Sequence, residues 1–257
     1  GRQSPDGRYV AYLAEAAQTA AEDPAAGEVW PIPSDGHEPL FSPGAVRLAW
    51  DRTVQSGAFS QRPTTVSVSN VDGTDAREVA TVVGGGLAGW LDDDRLLLQG
   101  RLDTGAGLGP EQLFSLDLAT GQTVTLAESD RLRGATVAPG GEWVLYTITF
   151  DPNDASQNGQ WVVRADGSQR YKLEMVGAAQ WRDGSRLLII PQELGAPSHR
   201  LVEFDAATGQ YTDLTDPEQT PFRVLAADWR VSPTGEHVVF VHAEDQALWV
   251  LELPPGG

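Results

Sequence analysis

The phrase SPDGRYVAYLAE near the start of the chain comes back, worn but recognisable, as AWDRTVQSGAFS, GWLDDDRLLLQG, VAPGGEWVLYTI, QWRDGSRLLIIP and VSPTGEHVVFVHAE. Matching the turn residue places it at Asp6, Arg52, Asp92, Gly140, Asp183 and Thr234, with gaps of 46, 40, 48, 43 and 51 residues. Such a period confines the fold. Each unit is too thin to bury its own apolar face, so neighbouring units have to bury one another.

The second half of the unit is as regular as the first. LFSLDLATGQTVTL and LVEFDAATGQYTDL nearly coincide, and TVSVSNVDGTDAREV, QWVVRADGSQRYKL and EVWPIPSDGHEPLF are versions with shorter turns. Alternating and β-branched residues between Asp-Gly or Thr-Gly turns read as hairpins, because Gly supplies the positive φ of a tight connection. A whole unit then has four antiparallel strands, the first rich in Gly and Ala (GAVRLAW, GGLAGW, VGAAQW), as befits strands that crowd around an axis. The expectation is an all-β, six-bladed β-propeller forming a single domain over 1–257, with units at about 1–43, 44–84, 85–131, 132–175, 176–222 and 223–257. Only residues 1–3 precede the first turn, and the last unit reaches only LWVLEL, so the first and last blades are expected to be incomplete. The chain would then be an excised domain, or one completed by another chain through open blade edges. AEAAQTAAED (14–23) could instead form a turn or two of helix.

Trp50, Trp90 and Trp181 end presumed inner strands, and Trp229 lies near the equivalent place. Burying an indole of about 200 Å² at roughly 25 cal/mol per Å² favours the blade-to-blade core over a sugar-stacking platform.

On Ser4-Pro5-Asp6-Gly7-Arg8 and Ser232-Pro233-Thr234-Gly235 the chain resembles the TolB-like, WD-repeat-related β-propellers, and the resemblance covers essentially its whole length. It implies a propeller whose relatives include periplasmic adaptors, lipoprotein propellers, the gating propellers of prolyl-oligopeptidase-like hydrolases and some polysaccharide lyases.

Other function classes are narrowed by composition. The chain has no cysteine, so disulfides and thiol nucleophiles are excluded. With 36 acidic and 18 basic residues its net charge is −18, which would repel nucleic acid. No apolar run approaches membrane length. Nucleophile-elbow, metalloprotease and phosphate-loop patterns are missing, so no catalysis is expected. His37, His199, His237 and His242 fall at inequivalent places in the repeat, unlike a lyase metal set, and Asp92-Asp93-Asp94 reads as a solvated hairpin. Asp151, Asn153 and Asp154 offer oxygen ligands without the spacing of a calcium loop, which makes calcium the one cofactor left open.

The connections between second and third strands are long around 15–27, 99–110 and 151–160. They should emerge on the same face as the fourth-to-first links, and variable loops on a rigid scaffold carry recognition. Arg62, Arg101, Asp151, Asn153, Trp161, Pro197 and His199 are the candidates there. The expected role is a non-catalytic, extracytoplasmic module that binds a protein or peptide. The alternatives are a gating or lyase propeller, or a polymer subunit joined by strand pairing between chains.

Overall fold

The computed structural model describes residues 2–13, 19–32, 39–103, 105, 107–193, 198–220 and 222–255. They form successive antiparallel meanders in chain order. Unit one holds β1 (Arg2–Gln3), β2 (Val10–Leu13), β3 (Thr19–Asp23) and β4 (Glu28–Ile32). Unit two holds β5 (Leu40–Phe41), β6 (Arg47–Thr53), β7 (Pro63–Asn70) and the first half of β8 (Arg77–Trp90). The second half of β8 opens unit three, followed by β9 (Arg95–Arg101), β10 (Gln112–Asp117) and β11 (Thr123–Glu128). Unit four is β12 (Leu132–Val137), β13 (Trp143–Ile148), β14 (Gly159–Arg164) and β15 (Arg170–Lys172). Unit five is β16 (Gly177–Trp181), β17 (Arg186–Pro191), β18 (Val202–Asp205) and β19 (Gln210–Asp213). Unit six has β20 (Val224–Val231), β21 (His237–His242) and β22 (Leu248–Glu252). This is the all-β, TolB-like propeller architecture that the repeat implies.

The recurring phrase builds the turn between the first two strands. In unit one the Ser4 hydroxyl accepts from the Tyr9 N–H at 2.9 Å and donates to Asp6, while Gly7 takes φ +73° and donates to the Ser4 carbonyl. Ser232 repeats the device by accepting from the His237 N–H at 3.1 Å. Unit two departs from the sequence alignment. Its turn is Ser42-Pro43-Gly44-Ala45, where the Ser42 hydroxyl accepts from the Arg47 N–H and Ala45 adopts φ +55°. AWDRTV therefore lies in the second strand and not the first, and Leu40–Phe41 supplies the inner strand that the alignment had assigned to an outer hairpin. The match failed because Ala45 takes the left-handed position that Gly7, Gly141 and Gly235 fill in units one, four and six.

Two further expectations change. Thr19–Asp23 pairs with β2 and β4 as a strand, so the helical reading of 14–23 does not hold there. The first unit has four strands, although β1 is only two residues long, whereas the last unit has three among the described residues. The Asp92–Asp94 hairpin is also more than solvated. Asp93 accepts from the Gly44 N–H at 2.7 Å, and Asp94 pairs with Arg47 at 2.8 Å, which ties the turn of unit three to that of unit two.

Strand alternation explains how the units hold together. On β9, Leu96 and Leu98 join Ala49, Val66 and Val82 of unit two, whereas Leu97 joins Val144 and Tyr146 of unit four. On β17, Leu187 and Ile189 face Trp143 and Leu145, whereas Leu188 and Ile190 face Trp229 and Phe240. A continuous apolar run is thus a central strand buried on both faces. Trp50, Trp90, Trp143 and Trp229 are buried in these interfaces, as the core reading requires. Among the described residues none of these clusters joins unit six to unit one, and Val29 on β4 and Leu248 and Val250 on β22 remain exposed.

Arg182 staples the last two units. Its side chain is 4% exposed; it donates to the Gly235 carbonyl at 2.8 Å, the Pro254 carbonyl at 2.5 Å and Glu203 at 2.5 Å. Replacing it strands a carboxylate and two carbonyls together. Arg182→Met is expected to lower the unfolding free energy in urea by about 3 kcal/mol, the scale for breaking a buried pair from one side. A loss below about 1 kcal/mol would show that the staple is dispensable.

Candidate functional site

Two of the expected long connections meet a fourth-to-first link on one face, whereas the stretch expected at 15–27 holds strand β3 and its turn to β4. Arg101, at the end of the second strand of unit three, donates to Asp130 in the link to unit four at 2.8 Å, and Ser129 of the same link donates to Asp151 at 2.9 Å. On this face a pocket of about 680 Å³ opens between units two, three and four.

Two strand irregularities form its wall. The pairing register skips Gly84 and Gly85 on β8, and Gly134 and Ala135 on β12. Such slips bend a strand and re-aim it. A Cβ on Gly85 would lie 2.0 Å from the Gln99 carbonyl oxygen, so only glycine lets the backbones pass this closely. The same approach brings the Leu87 N–H to Asp51 Oδ2 at 2.9 Å.

Glu111 and Asp130 furnish the polar interior. Glu111 is 8% exposed, and its Oε1 accepts from Gln99 Nε2 at 2.6 Å. Asp130 accepts from Arg101 and from the Glu111 N–H, which together hold its carboxyl below the usual carboxylate range. Phe59 stands at the rim on a short helical turn, 61% exposed.

Of the residues singled out from sequence, Arg101 lines this pocket. Arg62 braces its own loop, donating to the Gly57 carbonyl at 2.9 Å and to Gln55. Asp151 accepts from the Asn153 and Asp154 N–H groups and from Ser129, and Asp154 accepts from Ser156 and Gln157, so both carboxylates are engaged by loop and link donors. No group of three or more His, Asp or Glu gathers to hold a metal among the described residues. Trp161 stacks on Tyr146 with planes 6° apart, and the Arg170 guanidinium lies 3.9 Å from its ring centre. His199 accepts from the Val224 N–H at 3.0 Å and so links units five and six. Pro197 and His37 lie outside the described residues. Sequence reasoning missed Asp51, Phe59, Glu111 and Asp130; the run Gly84-Gly85-Gly86 was the signal that could have located them.

No protein-family model matches the chain, and neither does any curated protein. Solved structures do share its fold. It is similar to a putative TolB from Agrobacterium tumefaciens at 17% identity and TM-score 0.51, over 82% of this chain and 78% of that one. An oligogalacturonate lyase from Vibrio parahaemolyticus aligns at 11% identity and TM-score 0.61, over 98% and 76%. An acylaminoacyl peptidase from Pyrococcus horikoshii aligns at 12% identity and TM-score 0.63; all of this chain is covered, and it spans 43% of the peptidase. At these identities the likeness defines a class, the TolB-like propeller fold. Among the described residues no helix is long and apolar enough to cross a membrane.

Two predictions follow from this geometry. Gly85→Ala should destabilise the fold by about 2 kcal/mol through overpacking against a backbone that cannot yield, and an unchanged melting curve would contradict the close approach. His199 gives a pH signature. Burial first, then the neighbouring Arg223, holds its pKa below the ordinary 6.5. The unfolded chain therefore binds the proton first. The contribution of His199 is complete above about pH 6.5, declines as pH falls below that, and levels off under the folded pKa. Asp130, with its pKa lowered from 3.8, titrates in a more acidic window. Urea unfolding at pH 7.5 and 5.5 should show a larger acid loss for the natural chain than for His199→Gln; equal losses would remove His199 from the account.

Proposed function

We propose that the chain is a non-catalytic binding module that recognises a protein or peptide on the long-loop face. The observation that carries this reading is the preformed pocket between units two, three and four. A concave site built on strands, rimmed by an exposed aromatic and floored by Leu87 and Leu132, suits an extended segment of a partner. Acidity, the lack of cysteine and the family resemblance support an extracytoplasmic location, which fractionation of the source cells tests.

A second reading is a gating propeller within a larger hydrolase. It is supported by the full cover of this chain on the acylaminoacyl peptidase. A hydrolase domain adjoining the chain in the full-length protein would favour it.

Selection from a displayed random peptide library on the immobilised chain tests the first reading. Peptides should be recovered whose affinity falls at least about tenfold on Ser60→Trp, which crowds the mouth from an exposed position, and is unchanged by Pro139→Ala on the opposite face. Recovery of peptides indifferent to Ser60→Trp, or turnover of a peptide by this chain alone, would overturn it.

A further inference from the structure

One buried carboxyl group of the pocket lacks a cationic partner among the described residues. Asp130 has Arg101 at 2.8 Å, but among the described residues Glu111, more than nine-tenths buried, has only the neutral Gln99 amide as its side-chain partner. A buried carboxylate is costly unless a cation meets it. Arg133, the other cation on the wall, donates instead to the Leu132 carbonyl at 2.5 Å. The same pocket is lined by the partly buried Leu87 and by the exposed ring of Phe59. A pocket with an exposed aromatic and a buried carboxylate in its wall matches a cation on a methylene stem. A field from a net charge of −18 draws such a cation in.

Resting on the peptide-binding reading, we infer that this pocket takes a basic side chain, lysine or arginine, of an extended partner, with Glu111 as the anchoring carboxylate and Phe59 over the stem. Glu111 here is a recognition residue.

Capped pentapeptides acetyl-Gly-Gly-X-Gly-Gly-amide, with X as lysine, arginine, norleucine or glutamate, supply the probes for calorimetry and ligand-observed NMR on the full chain. The lysine or arginine peptide should bind at least about tenfold more tightly than the norleucine peptide, and the gap should shrink as salt is raised. Glu111→Gln, which keeps the oxygen that Gln99 reaches, should abolish that preference. Phe59→Ala, at an exposed position that cannot unfold the chain, should weaken the basic peptide about threefold or more. Equal binding of norleucine, a preference that survives Glu111→Gln, or indifference to Phe59→Ala would overturn the inference. If library peptides sensitive to Ser60→Trp carry no basic residue, the cation assignment fails while the peptide-binding reading stands. If no peptide of either kind binds, both fail.

Discussion

Central strands with apolar side chains on both faces are the constraint on which the rest of the molecule depends. Leu97 and Leu98 are neighbours in sequence, yet they belong to different cores, one shared with unit four and the other with unit two. No unit owns its core outright, so a unit is stable only beside another. The outer strands are released from this demand, and the polar burial patterns of β15 and β19 show it.

A scaffold of this kind leaves the strand ends free to vary. At one face the ends are closed by repeated turns that grip one another, through Asp93 on Gly44 and Arg182 on Gly235. The other face is less uniform. There a backbone slip on β8 and another on β12 open a pocket, and loops of unlike length bring Phe59, Glu111 and Asp130 around it. One face is given to cohesion, and the other carries the open pocket.

The sequence made the architecture readable because period-two patterning and Gly-bearing turns are local, and each copy checks the others. RLLII and the Thr-Gly hairpins were found in place. The misplaced second unit shows the limit: where Ala45 takes a left-handed conformation, the signature vanishes although the turn persists. The pocket was harder to see. Asp51, Glu111 and Asp130 are far apart in the chain, and only the register slip at Gly84 and Gly85 brings their strands together. Trp161 and His199 looked available because exposure of a ring cannot be read from a loop sequence; in the fold Trp161 stacks with Tyr146 and the Arg170 guanidinium lies over both rings, and His199 is held by Val224.

The strand β8 runs for 14 residues without leaving the sheet, ending unit two and beginning unit three as one piece of backbone. The other units form separate sheets, but here one strand is hydrogen-bonded to both units. The pocket lies beside this shared strand, which contributes Gly84 to Ala88 to its wall. A guest arriving there meets walls already set, and little ordering entropy is charged against its affinity.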